Sequence, residues 1–211
     1  MSMEETHRRL DEYFSQTLQA HGATARGVDY NSEAAQERRF DQLSRVIDPS
    51  RPFSVVDYGC GYGALFEFLE QKTWDFEYHG LDRIEAMIDA GRQKYAGYPN
   101  AHFHSSEDAV PISDYLLAGA IFNIKLDAEP DAWRSFVCES LLRMAAKCSR
   151  GLSFNMLTSY SDVERMQARP DLFYGDPLFF FDFCKRNVAP NVALLHDYGL
   201  YDFTIIVRKA V

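Results

Sequence analysis

Asp57, Gly59, Gly61, Gly63 and Asp82 are the residues of this chain whose types and spacing most directly imply chemistry. Four of them fall inside Phe53-Ser-Val-Val-Asp-Tyr-Gly-Cys-Gly-Tyr-Gly-Ala-Leu-Phe66, where an apolar run ends in an acid, alternating glycines follow, and an amphipathic segment begins. That order predicts a buried strand, a tight loop and a helix. Glycines let the backbone turn sharply and come close to a bound ligand, so the loop reads as a nucleotide cradle. Asp82 ends a second apolar run about 20 residues beyond the last glycine, the spacing at which such folds offer a carboxylate to ribose hydroxyls.

These residues need a scaffold, and the flanking patterns supply one. Leu10, Tyr13, Phe14, Thr17 and Leu18 form a one-sided helical stripe that Gly22 is placed to end. Asn31 or Ser32 can cap a second helix, with Ala35, Phe40, Leu43, Val46 and Ile47 on its apolar face and Pro49 and Pro52 to stop it. Strands are predicted at 53–56, 76–81, 102–105, 115–122 and 151–157, and helices at 64–71, from Ile84 to Tyr95, and after Asp131. About 34 residues then intervene before Val192, including an aromatic run, Leu178–Phe183, that Asp176 and Pro177 would start as a helix. Strands at 192–196 and 203–209 are expected to close the sheet as a hairpin. The alternation implies an α/β fold, a mostly parallel sheet with helices on both faces.

Composition narrows the function. The chain has 211 residues, suited to one domain, and its 46% hydrophobic and 14% aromatic content describes a globular protein. No apolar run approaches the roughly 18 residues of a membrane span, and the N-terminus lacks a secretory apolar region, so a cytoplasmic protein with no membrane partner is expected. A net charge of −9 disfavours a nucleic-acid partner. Cys60, Cys138, Cys148 and Cys184 lack metal-binding spacing; they are expected to be free thiols, with no metal site.

Gly59-x-Gly61-x-x-Ala64 also satisfies the permissive dinucleotide fingerprint, which keeps an NAD(P)-dependent reductase of a small molecule open. Three details point elsewhere: Asp57 precedes the first glycine by two residues, Gly63 comes one residue early, and the chain has no room for a separate catalytic domain. The segment Asp57-Tyr-Gly-Cys-Gly-Tyr-Gly63 resembles the first motif of class I S-adenosylmethionine-dependent methyltransferases. The resemblance extends through Gly-Leu-Asp82, Tyr115–Asn123 and His196–Thr204, and Tyr30-Asn-Ser-Glu-Ala-Ala-Gln36 is similar to a segment of the bacterial small-molecule branch.

The resemblance implies a Rossmann-like seven-stranded sheet with an antiparallel last strand, S-adenosyl-L-methionine as cofactor, and methyl transfer to an oxygen or nitrogen of a small-molecule acceptor. A basic peptide acceptor and a non-catalytic cofactor-binding partner protein remain as alternatives. Asp82 would accept both ribose hydroxyls, Gly59 and Gly61 would admit the methionine portion, and Asp57 would hold the loop or meet the ammonium through water. Ser106 or Glu107 would border the adenine, Gly119 would lie beneath the sulfonium, and Arg39 would pair with the cofactor carboxylate. Cys60, Arg83 and Met87 complete the expected cofactor set, Cys60 as a small side chain in a tight loop rather than a nucleophile.

Open α/β sheets bind ligands beyond the carboxyl ends of their strands. A parallel sixth strand would bring His196, Asp197 and Tyr198 to that edge, and the fifth strand adds Asn155, Thr158 and Tyr160. The catalytic candidates are His196, as a base titrating near neutrality, and Tyr160. His102 and His104 are expected to be packing or surface residues. Phe179–Phe183 is expected in the core, with an acceptor-pocket wall as the other reading. The expected organisation is a single domain: a helical lid (1–50), the cofactor-binding core (51–155), an acceptor-side insertion (156–190) and the closing hairpin (191–211).

Overall fold

A computed structural model describes residues 3–209. Two helices, α1 (Met3–His21) and α2 (Glu33–Ser44), precede β1 (Phe53–Tyr58), α3 (Ala64–Glu70), β2 (Phe76–Leu81), α4 (Glu85–Lys94) and β3 (Ala101–His104). Then come β4 (Ser113–Ala118), α5 (Pro130–Ala146), β5 (Cys148–Leu157), α6 (Val163–Ala168), α7 (Pro177–Asn187), β6 (Asn191–Leu195) and β7 (Asp202–Arg208).

Local chemistry sets most of these boundaries. Gly22, at φ 65°, ends α1 and returns its N–H to the Leu18 carbonyl. The Ser32 hydroxyl accepts the Ala35 N–H at the start of α2, and the Asp176 carboxylate accepts those of Leu178 and Phe179 at the start of α7, with Pro177 in its first turn. α2 stops before Pro49: Arg45, Val46 and Ile47 already bond three residues back, a tightened last turn that still buries Val46 and Ile47.

The apolar run 115–122 is not one strand. β4 covers Ser113–Ala118, after which the chain turns through Ala120 at φ 59°, whose N–H is held by Asn155 Oδ1 at 2.9 Å. Phe122 then leaves the sheet for the core, where its carbonyl accepts the Trp133 indole N–H.

The sheet order is β3-β2-β1-β4-β5-β7-β6. β1 to β5 pair in parallel, whereas β7 lies between β5 and β6 and is antiparallel to both. β6 therefore runs with the main strands, at the edge opposite β3. Alternation along β1 divides the core: Val55 packs with Leu43, Phe66, Tyr78 and Ile206 on one face, and Val56 with Trp133, Leu141, Phe154 and Phe180 on the other. No described helix is long and apolar enough to cross a membrane.

Candidate functional site

The glycine loop is shaped by the strand beside it. As the chain leaves β1, the N–H groups of Gly59 and Cys60 both donate to the Leu81 carbonyl, at 2.7 and 2.9 Å. The next N–H, from Gly61, donates to Asp82 Oδ2 at 2.9 Å, while Asp82 Oδ1 accepts from Ile84 N at 3.0 Å. Gly61 needs to be glycine: its φ is +54°, and a Cβ there would stand 2.7 Å from Val28 Cγ1. The Asp82 carboxylate has further lone pairs beyond these two bonds and faces the cavity.

Asp57 is buried beneath the loop, and its Oδ2 accepts from the Tyr78 hydroxyl at 2.7 Å. Burial raises its pKa to about 7; the Tyr78 bond opposes this rise and the nearby Asp82 charge adds to it. Burial also raises the Asp82 pKa, against the two backbone N–H bonds that stabilise its anion. The Cys60 thiol is pushed well up by burial, which keeps it protonated and unreactive.

A cavity of about 380 Å³ opens beyond the carboxyl ends of β1, β2 and β4. Its place is the switch point where the chain goes from β1 outward in both directions, the usual ligand position in open α/β sheets. Asp57, Asp82 and Glu107 supply carboxylates to it, and the Tyr58 hydroxyl donates to Glu107 Oε2 at 3.2 Å. Leu10 and Phe14 of α1 and Trp133 and Phe136 of α5 form apolar walls, with Val28, Tyr30 and Phe40 closing another side. Arg83 ties α1 to the rim, donating to Asp11 Oδ2 at 2.5 Å and to the His7 carbonyl at 3.1 Å. One atom of the lining residue His7, Nε2, is buried without a hydrogen-bond partner.

Nine of the expected residues gather on this cavity: Asp57, Gly59, Cys60, Gly61 and Asp82 at the loop, and Arg83, Met87, Glu107 and Gly119 around it. Ser106 stays off the lining and its neighbour Ser105 takes that place.

Arg39 is also elsewhere. Its Nη2 pairs with buried Asp202 Oδ2 at 2.6 Å, and its guanidinium lies 5.3 Å from the centre of the Tyr30 ring. Burial opposes the Arg39 charge, yet Asp202 outweighs it and the pKa is raised. Asp202 Oδ1 accepts from Asn155 Nδ2 at 3.4 Å, Asn155 holds Ala120, and the Tyr30 hydroxyl donates to the Gly119 carbonyl at 3.4 Å. Arg39 thus lies off the cavity lining and supports its floor through Asp202 and Tyr30. Sequence reasoning missed Asp202 and Asn155 as members of this network; an acid and an amide facing inward on otherwise apolar strands are the signal that marks them.

Tyr160 and His196 are not brought to the cavity. Their rings sit 5.8 Å apart, and both residues are exposed. The reason is strand order: β6 is four strands from β1, roughly 19 Å at sheet spacing, so a shared edge does not bring His196 near the loop. Residues 156–190 supply no part of the lining. Of the aromatic run only Phe180 is buried in the core; Phe181 and Phe183 pack against it partly buried, whereas Leu178 and Phe179 are exposed, and the cavity wall comes from α1 and α5.

Two carboxylates flanking a glycine loop suit a cationic ligand group and vicinal hydroxyls, and would repel a pyrophosphate. No family model matches the chain. The protein of Mycobacterium tuberculosis strain H37Rv named "Putative methyltransferase Rv1506c" is 43% identical over 166 residues, covering 79% of this chain and 99% of that protein. Among solved structures, the 1,6-didemethyltoxoflavin-N1-methyltransferase of Burkholderia thailandensis, with bound 1,6-didemethyltoxoflavin and S-adenosylhomocysteine, superposes with a TM-score of 0.67. Identity is 18%, over 100% of this chain and 92% of that one. The N-methyltransferase NodS of Bradyrhizobium japonicum, in complex with S-adenosylhomocysteine, gives a TM-score of 0.63 at 12% identity, over 94% of this chain and 97% of that one.

Proposed function

The chain belongs to the methyltransferases, and from that premise we propose that it is a class I, S-adenosylmethionine-dependent enzyme that methylates an oxygen or nitrogen atom of a small molecule. The observation that carries this reading is the cavity at the switch point, with the glycine loop bonded to Asp82 on one side and a helix over the other. Asp82 would hold the ribose hydroxyls with its remaining lone pairs, and Glu107 with Tyr58 would border the adenine. Asp57 would stabilise the loop and the ammonium end. When bound, S-adenosylmethionine supplies a methyl group activated by its sulfonium.

The chain's own contribution is exclusion of water and orientation. Tyr30 and Phe40 stand over Gly119, where a Cβ would lie 3.2 Å from Tyr30 Oη and 3.7 Å from Phe40 Cε1. With Phe14 and Val28 they make an apolar chamber for the acceptor. Holding acceptor and donor in line there supplies most of the rate, with no dedicated base. On this reading α1, in the expected 1–50 segment, acts as the lid and residues 51–155 carry the cofactor, whereas 156–190, expected as an acceptor-side insertion, supply none of the cavity lining and pack against the sheet. A cavity of about 380 Å³ favours a small molecule over a peptide, and a net charge of −9 disfavours nucleic acid. Four free cysteines, three of them buried, favour the reducing cytoplasm.

Calorimetric titration with S-adenosylhomocysteine tests the cofactor, and acceptor-dependent release of S-adenosylhomocysteine, followed by mass spectrometry over a panel of small hydroxyl and amine compounds, tests turnover. Saturable binding and release are expected. A wild-type protein that binds neither S-adenosylmethionine nor S-adenosylhomocysteine would overturn the proposal.

A further inference from the structure

We propose that Gln36 receives the amino-acid end of the bound cofactor, its amide nitrogen donating to the carboxylate, so that this chain holds that end without a cationic side chain. The inference rests on the cofactor reading above. Gln36 lies on α2 and borders the cavity, with only 5% of its surface exposed. Among the described residues its side chain makes no hydrogen bond, and the polar atoms that lack both a partner and access to solvent belong to His7, Arg39 and Gln42 instead. The Gln36 amide is therefore open to a water-sized molecule, and the space it borders is the cavity. It has a donor and an acceptor to offer a ligand there.

Its neighbours place this amide at the glycine loop. Burial, with the charges of Glu67 and Glu33, raises the Tyr62 pKa to about 12, so the first turn of α2, where Glu33 stands, adjoins the loop. Gln36 is one turn farther along, on the face that also buries Phe40, and a Cβ on Gly119 would lie 3.7 Å from Phe40 Cε1. Val28 closes the same side against Gly61. Burial raises the Tyr30 pKa as well, and the charge of Asp57 adds to that rise, which sets the acid assigned to the ammonium beside the same group of residues.

The cationic side chains are engaged elsewhere. The lining holds two arginines and no lysine: Arg83 follows Asp82 and is tied to Asp11, while Arg143 donates to the Ser140 hydroxyl and stands beside Tyr58. Arg39, three residues along α2, is held by Asp202, and the Tyr30 hydroxyl donates to the Gly119 carbonyl. A carboxylate seated between Gly61 and Gly119 meets Gln36 as the uncommitted side-chain donor. A hydrogen bond from an amide to an anion is stronger than one between neutral groups, and a site sheltered from water strengthens it further.

The test titrates wild type, Gln36→Met, Gln36→Glu and Asp82→Ala calorimetrically with S-adenosylhomocysteine and with methylthioadenosine, which has the adenosine and the thioether but no amino-acid end; thermal melts verify folding. Gln36→Met keeps the length of the side chain. It should weaken S-adenosylhomocysteine about thirtyfold, the worth of a hydrogen bond to a charged group, while methylthioadenosine stays within about twofold of wild type. Gln36→Glu keeps the shape and sets an acid against the carboxylate, so at about pH 8 it should bind S-adenosylhomocysteine more weakly than Gln36→Met does. The inference is overturned if Gln36→Met binds S-adenosylhomocysteine like wild type, if it weakens both ligands by the same factor, or if Gln36→Glu binds at least as tightly as Gln36→Met. Binding of both ligands by wild type and their loss in Asp82→Ala would in each of those cases leave the cofactor reading standing; a wild type that binds neither ligand would remove both.

Discussion

The backbone N–H of Gly61 donates to the carboxylate of Asp82 at 2.9 Å, so the end of β2 holds the loop that leaves β1. The same carboxylate caps the approach to α4 through Ile84 N. One side chain thereby fixes the loop and faces the cavity, and its loss removes both functions.

Asp82→Ala should abolish detectable S-adenosylhomocysteine binding and lower stability by about 2 kcal/mol, since two backbone N–H groups lose their acceptor. Gly61→Val should lose binding for a different reason: a β-branched residue at φ +54° is strained and its Cβ would crowd Val28. Calorimetry on both variants checks this, and titrations indistinguishable from wild type would sink the site assignment.

Asp57 predicts a pH dependence of stability. Its folded pKa of about 7 lies above the unfolded carboxylate value near 3.9, so the native state holds the proton more tightly. The resulting stabilisation is complete below about pH 4 and is lost as pH rises through about 7. Asp57→Asn keeps an acceptor for Tyr78 and has no charge to lose. Its advantage in unfolding free energy over wild type, read from denaturant melts, should therefore grow between pH 5 and pH 8, reaching the order of a few kcal/mol. A difference that stays constant across that range would contradict the assignment.

The ion pair of Arg39 and Asp202 should behave as structure. Asp202 is fully buried and the Arg39 side chain is 12% exposed, so Arg39→Met leaves an uncompensated charge and should cost about 3 kcal/mol in urea unfolding. Adding Asp202→Leu should recover part of that loss. Equal stability of wild type and Arg39→Met would show that the pair does not support the fold.

His196→Ala and Tyr160→Phe should leave S-adenosylhomocysteine affinity and acceptor-dependent product release within about twofold of wild type, because neither residue reaches the cavity and exposed substitutions away from such features have small effects. Product release reduced a hundredfold or more in either variant would place chemistry at the far end of the sheet.

What the sequence determined by itself is local. The first loop, the carboxylate after β2, the caps at Ser32 and Asp176 and the alternation of strands and helices depend on neighbours within a turn or a strand, and their residue types state the geometry directly. The end of β4 was misplaced because an apolar run cannot say where a strand stops and a turn into the core begins; Asn155, 35 residues away, decides that by holding Ala120. Arg39 and Asp202 lie 163 residues apart, and nothing in the flanking pattern of either names the other. Strand order had the largest consequence: by seating β7 between β5 and β6, the sheet carried His196 away from the loop and left α1 and α5 to wall the cavity. Those outcomes belong to the tertiary structure because they follow from which surfaces bury one another, a property of the whole chain and not of any segment.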